Sequence, residues 1–174
     1  MEYIFETEHL KVRKFMMEDA PCLYQNHLEE EVRRWLPNES YADIEEALGA
    51  IHFYVDCVNN KHLPYVLAVE LKETGELIGD TGVNEVEGNT SEVEIGYAIC
   101  QKYSGRGYAT ELVNAMNEFI TSVFGMKVLY GRVMHGNEAS VRVLEKNGYV
   151  YVEEEFGAED DPYGLGMLVY KKEY

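Results

Sequence analysis

The sequence predicts an α/β (α+β) fold with a mixed, largely antiparallel central sheet flanked by helices on both faces. Hydrophobic spacing switches along the chain between a period of two and a period of 3.6 residues, the marks of strand and helix. The strand-length runs at residues 65–71, 77–86 and 92–100 follow one another through short turns, as hairpins do. Two later helical stretches, after Gly107 and after Asn137, each lie between strand runs and act as crossovers. The chain has 174 residues, of which 46% are hydrophobic and 12% aromatic. That supplies one core, and a single domain over residues 1–174 is expected.

Residues 3–15, where Ile4, Leu10 and Val12 alternate with charge, read as an opening strand. Glu18-Asp19-Ala20-Pro21 starts a helix running to about residue 30, with acids and a proline in its first turn. Glu31 to Leu36 form a short helical turn stopped by Pro37. Asp43 caps a second helix, in which Ala47, Ile51, Val55 and Val58 make an apolar stripe. A turn at Glu73-Thr74-Gly75-Glu76 joins the strands 65–71 and 77–86. The third strand, 92–100, sets Val93, Ile95, Tyr97 and Ile99 on one face and Glu92, Glu94, Gly96 and Ala98 on the other. A long helix after Gly107 carries an apolar stripe from Ala109 to Phe124 and stops at Gly125. Residues 127–134 form a strand, and Asn137 caps a short helix ending at Asn147-Gly148. Strands 149–156 and 166–172 close the chain around an acidic loop.

Composition narrows the function classes. A net charge of −17 argues against a nucleic-acid partner. No apolar run approaches the roughly 20 residues of a membrane span. The acidic N-terminus lacks the basic and apolar regions of a signal peptide. A cytoplasmic protein with no membrane partner is expected. Cys22, Cys57 and Cys100 are odd in number and widely spaced, with no Cys/His cluster nearby, so neither a disulfide framework nor a metal site is expected. Residues 101–149 hold six Lys and Arg against four Glu, which leaves the acidic excess elsewhere in the chain. An anionic ligand at this segment with a cationic substrate nearby fits that partition, as does a plain solubility role for the acids.

The segment from Lys102 to Thr110, KYSGRGYAT, follows a strand and opens a helix. The first amides of a helix have no internal partner and lie at the positive end of the helix dipole. Glycines let such a backbone approach a bulky anion, so a diphosphate site is possible here, as is a tight turn into a core helix. The string of a P-loop is absent. A dinucleotide fingerprint fails as well, because Thr110 stands at its third glycine and the next strand ends without an acid at Arg132-Val133-Met134.

Two further pieces sharpen the reading: Glu94-Ile95-Gly96-Tyr97 on the preceding strand, and the run from Asn137 to Tyr149, NEASVRVLEKNGY. With Arg13, Asp19-Ala20 and Val32 to Pro37, their order resembles the Gcn5-related N-acetyltransferase (GNAT) superfamily, in the branch similar to ribosomal-protein N-terminal acetyltransferases. The resemblance covers nearly the whole chain. It implies an acetyl-CoA-dependent N-acetyltransferase that acts on a primary amine by direct attack, either a protein N-terminus or a small molecule. A non-catalytic acyl-CoA-binding module is the alternative. A homodimer through the C-terminal strands is a family-level expectation.

The resemblance also distributes roles. The loop Lys102, Ser104, Gly105, Arg106, Gly107, with the helix start Tyr108, Ala109 and Thr110, should hold the CoA pyrophosphate. Lys102 stands where the family has Gln or Arg. The strand edge at Tyr97, Ala98 and Ile99 should pair with the pantetheine arm, and Asn137 should bind the same arm or simply cap its helix. Glu94 is the candidate base, with Glu92 as substitute, since an amine must lose a proton as it attacks. Leu144 occupies the position of the family's usual tyrosine acid. Ser140 is the candidate in its place, with His135 and Tyr108 as fallbacks. Cys100 has no adjacent base and is a poor nucleophile candidate. Arg34 and Trp35, with Arg33 and Tyr41, are expected near the acceptor. The late acids Glu153 to Glu155 and Glu159 to Asp161, with Tyr163, would favour a cationic acceptor such as a protein N-terminus, a polyamine or an aminoglycoside, whereas Arg33 and Arg34 would favour an acidic one.

Overall fold

A computed structural model describes residues 3–158, 160–163 and 166–174 of the chain. The alternation near the N-terminus is two strands, β1 (Tyr3–Glu6) and β2 (Leu10–Arg13), where one was expected. Thr7 makes the turn between them. Its amide donates to the Leu10 carbonyl at 2.9 Å, and its hydroxyl accepts from the Leu10 N–H at 3.0 Å. The first helix, α1 (Ala20–Leu28), and the short helical turn expected after it, α2 (Glu30–Trp35), form as separate helices. The break falls at Glu29, whose ψ of 136° leaves the helical region. Its carboxylate accepts the Gln101 N–H at 2.8 Å and so ties the helix junction to a distant loop. Helix α3 (Ile44–Asn60) starts as expected, with the Asp43 carboxylate accepting the Glu46 N–H at 2.8 Å.

Strands β3 (Tyr65–Leu71), β4 (Leu77–Val86) and β5 (Asn89–Ile99) form the predicted meander. β5 begins at Asn89 because Glu87-Gly88 makes a two-residue turn, with Gly88 at φ 75°. The polar Asn89-Thr90-Ser91 start carried no period-two apolar signal. Helix α4 (Tyr108–Phe119) opens the predicted long helix, which runs on to the expected stop at Gly125, where φ is 68°. Its continuation, Ile120–Phe124, widens to a π turn and leaves Val123 54% exposed, outside the expected stripe. Then follow β6 (Val128–Met134), α5 (Glu138–Lys146), β7 (Val150–Glu155) and β8 (Met167–Glu173).

Among the described residues the eight strands make one sheet in the order β1-β2-β3-β4-β5-β6-β8-β7. Every adjacent pair is antiparallel except β5 and β6, which are parallel. Successive strand residues face opposite sides, and this builds two cores. Leu67 and Val69 of β3 and Val93 and Ile95 of β5 belong to a core with Leu112, Val113 and Met116 of α4. Ala68 points the other way, to Leu23 of α1 and to Ala47 and Ile51 of α3. Each large apolar side chain so buried contributes roughly 1.5–3 kcal/mol.

Charged groups are buried on the Ala68 side of the sheet as well. Arg13 at the end of β2 is buried, with Nη1 2.7 Å from Asp19 Oδ2 and Nε 3.0 Å from Glu70 Oε2. The Met16 N–H also donates to Asp19 at 2.8 Å, which fixes the entry into α1. Among the described residues no helix is long and apolar enough to cross a membrane. Of the late acidic loop, Asp160 and Asp161 are exposed, and Glu159 lies outside the described residues.

Candidate active site

The parallel pair β5–β6 is joined only where Glu92–Glu94 faces Val128–Tyr130. Beyond that point β5 stays with β4 as far as Ile99, and β6 stays with β8 as far as Met134. The two strands therefore part, and a cleft of about 860 Å³ opens between them. The Cys100 N–H donates to Ile78 O at 2.8 Å, and the Thr81 hydroxyl donates to the Gly96 carbonyl at 2.9 Å. Main-chain groups alternate along a strand, so those of Gly96 and Ala98 also turn toward β4. Those of Tyr97 and Ile99 turn into the gap, where among the described residues no strand receives them. An extended ligand can pair there as a strand would. Tyr97, Ala98 and Ile99 all border the cleft, but the Ala98 main chain is committed to β4, which corrects its expected pairing role.

At the far end of the cleft lies the glycine loop. Gly105 and Gly107 have φ of 72° and 86°, the left-handed region that a side chain rarely adopts. A Cβ at either would meet nothing within 4 Å, so conformation and not crowding requires glycine. Gly107 is the N-cap of α4 and supplies no side-chain cap, which leaves the first-turn amides of Tyr108, Ala109 and Thr110 without a capping partner. These three residues border the cleft with Ser104, Gly105 and Gly107. Asn137 borders it from the start of α5, where its Oδ1 also accepts the Ser140 N–H at 3.3 Å. Arg142 and Lys146, one helical turn apart on α5, add positive charge to this wall.

Where the strands part stands Glu94. Val93 and Ile95 are buried in the core, so alternation turns Glu94 to the opposite face, where it is half-buried. Arg132, two residues beyond its β6 partner Tyr130, donates Nη1 to Glu94 at 2.5 Å and holds Glu155 through Nε at 3.0 Å. Burial pushes the Glu94 carboxyl above its ordinary pKa. Arg132 draws it down and Glu155 raises it again, and the net shift is upward. Glu92 lies in the closed part of the pair, opposite Val128, and does not border the cleft.

Ser140 meets Tyr97 across the cleft, the two hydroxyls 2.7 Å apart. Burial pushes the Tyr97 phenol up to about 12, against the lowering effect of the Ser140 bond. Leu144 is buried against Gly131, where an added Cβ would come within 2.8 Å of its side chain. A hydroxyl therefore reaches the cleft from the β5 wall and none comes from position 144. Burial, ahead of Glu29, pushes the Cys100 thiol up to about 12, which removes it as a nucleophile.

Three predicted contacts stand off the cleft. Lys102 points to Glu76 at 3.2 Å. The Arg106 guanidinium lies 5.5 Å over the Tyr103 ring. Arg34 stacks at 4.6 Å on Trp35 and lies 3.8 Å from Glu31. Exposed cations without a wall to pack on take the nearest ring or carboxylate. Trp35 does border the cleft, its indole N–H donating to Glu31 at 3.2 Å; Tyr108 borders it too, and His135 does not. Sequence reasoning missed Glu39, Arg132, Arg142 and Lys146 as cleft residues, and the contact of the Tyr97 hydroxyl with Ser140. Only the i, i+4 spacing of Arg142 and Lys146 offered a local signal.

Comparison with known proteins agrees with this architecture. The family model of the acetyltransferase (GNAT) domain matches residues 9–150. The N-acetyltransferase YoaA of Bacillus subtilis (strain 168) is 29% identical over 146 residues, covering 84% of this chain and 82% of the relative. The N-acetyltransferase p20 of Bacillus licheniformis is 27% identical over 180 residues, covering 100% of this chain and 99% of the relative. Among solved structures, the ribosomal-protein-S5-alanine acetyltransferase of Vibrio fischeri superposes with a TM-score of 0.83 at 20% identity, over 97% of this chain and 95% of that one.

Proposed function

The chain belongs to the acetyltransferase (GNAT) domain family and is an N-acetyltransferase; we propose that it draws the acetyl group from acetyl-CoA bound between β5 and β6, as one domain over residues 1–174. The observation that carries this reading is the parting of β5 and β6 beyond Glu94 and Tyr130, directly before the uncapped N-terminus of α4. The first-turn amides of α4, with Arg142 and Lys146, suit a pyrophosphate. The free main-chain edge at Tyr97 and Ile99 suits an amide-bearing arm such as pantetheine. The three unpaired cysteines fit a cytoplasmic enzyme.

Glu94 takes the amine proton as the N–C bond forms and the C–S bond breaks. Its raised pKa improves the match to an amine, and Arg132 keeps the carboxylate oriented. Tyr97, oriented by Ser140, donates a hydrogen bond to the departing sulfur. A phenol at about 12 lies above a thiol at about 8.5. The proton therefore stays on Tyr97, and the thiolate is reprotonated from solvent. Tyr97→Phe should lower kcat about tenfold, the loss of one good hydrogen bond to a charged group, with KM for acetyl-CoA little changed.

Thermal unfolding with acetyl-CoA, CoA, NAD and ATP tests the reading. Acetyl-CoA at a hundredfold excess over its Kd should stabilise the fold by about 2.7 kcal/mol. For a chain of this length that raises Tm by about 5–10 °C, with no comparable response to NAD or ATP. Gly107→Val should lose most of the acetyl-CoA response, because a β-branched residue cannot hold φ of 86°. A chain that answers only to nucleotides would refute the assignment.

A further inference from the structure

The geometry points to an α,ω-diamine, an aliphatic chain with a second ammonium group, as the acceptor class, held in a second cavity that opens off the acetyl-transfer cleft; the inference rests on the transferase reading above. This cavity has a volume of about 740 Å³ and lies between α1, α3 and the strands β3, β4 and β5. It shares Glu39, Asn84, Gly96 and Tyr97 with the cleft, so a flexible chain can reach from one to the other.

Its walls are of two kinds. Tyr41, Phe53 and Tyr54 supply aromatic faces, and Phe53 is 53% exposed, which no core role explains. Glu39, Glu46 and Asp80 supply carboxylates, and among the described residues no lysine or arginine borders the cavity. Ammonium groups are drawn both to carboxylates and to ring faces.

Two of the carboxylates already have partners. Glu46 accepts the Ala42 N–H before α3, and Asp80 lies 2.7 Å from Nε2 of the buried His27. Burial by itself would lower the His27 pKa, but Asp80 outweighs it and holds the imidazole at about 9, so the pair carries little net charge at neutral pH. Glu39 has no ion-pair partner among the described residues. Solvent reaches Glu39, yet its carboxyl sits in the concave junction of the two cavities. Burial there, then Asp80 and Glu94, push its pKa up, against the lowering effect of His27. A second ammonium group relieves that surplus of negative charge.

The remaining walls disfavour other acceptors. Gly82 and Gly96 face one another in the β4–β5 ladder, and their main-chain groups give a peptide acceptor nothing to pair with. Arg33 and Arg34, which would select an acidic acceptor, are exposed and border neither cavity. One neutral amine of the diamine attacks beside Glu94, while the far ammonium stays charged against Glu39.

The test is CoA release with diaminobutane, butylamine and a short peptide bearing a free N-terminus, alongside the melting shift with acetyl-CoA. The diamine should exceed butylamine in kcat/KM by about tenfold to a hundredfold, as one charge-assisted contact predicts. Glu39→Gln should collapse that ratio toward one, mostly through KM. If acetyl-CoA binds but the peptide or butylamine matches the diamine, or none of the three is turned over, the diamine assignment is overturned and the transferase reading stands. If acetyl-CoA itself does not bind, both fall.

Discussion

Glu94→Gln should lower kcat by at least about a hundredfold, at the low end of what a positioned general base contributes, while acetyl-CoA still raises Tm. The substitution keeps the volume and leaves an amide oxygen for Arg132 to donate to, while it removes the negative charge and with it the ability to take a proton. The pH profile makes the test specific. A base acts when ionised, so kcat/KM of the native chain should rise with pH through the pKa of Glu94, which burial places above the ordinary carboxylate range. The acceptor contributes its own limb at higher pH, because only the neutral amine attacks. In the variant the lower limb should vanish and the upper one remain. Full turnover in Glu94→Gln would show that the proton leaves by another route, with Glu31 and Glu39 the other glutamates bordering the cleft among the described residues.

Arg13→Ala should destabilise the fold by about 3–5 kcal/mol, measured by urea unfolding. Arg13, Asp19 and Glu70 are only 3%, 7% and 8% exposed, so the truncation strands two carboxylates away from water. Arg13→Met combined with Asp19→Asn and Glu70→Gln removes the stranded charges. It should cost less than Arg13→Ala alone, a non-additivity that separates lost charge pairing from lost packing. A cost under about 1 kcal/mol for Arg13→Ala would place the network among weak surface pairs. The effect reaches the site, because the Arg13–Asp19 contact sets the start of α1, and α1 carries His27 to Asp80.

What the sequence determined by itself is what neighbouring residues decide. The meander of β3, β4 and β5, the capped starts of α3 and α5, and the uncapped glycine entry to α4 depend on periodicity, caps and turn residues within a few positions of one another. The side of β5 that Glu94 faces followed from alternation alone. Element ends were less legible wherever a distant contact set them, as Glu29 shows by leaving α1 to hold the Gln101 amide. Only the tertiary structure decided where β5 and β6 part, because that depends on which neighbour each strand keeps. It alone brought Arg132 to Glu94 across 38 residues and Tyr97 to Ser140 across 43. It also turned Lys102, Arg106 and Arg34 away from the cleft, since a mobile surface cation settles on whichever ring or carboxylate the fold puts in reach. The second cavity, walled by α1, α3 and the strands β3 to β5, has no sequence signature, because its carboxylates meet only when the chain is folded.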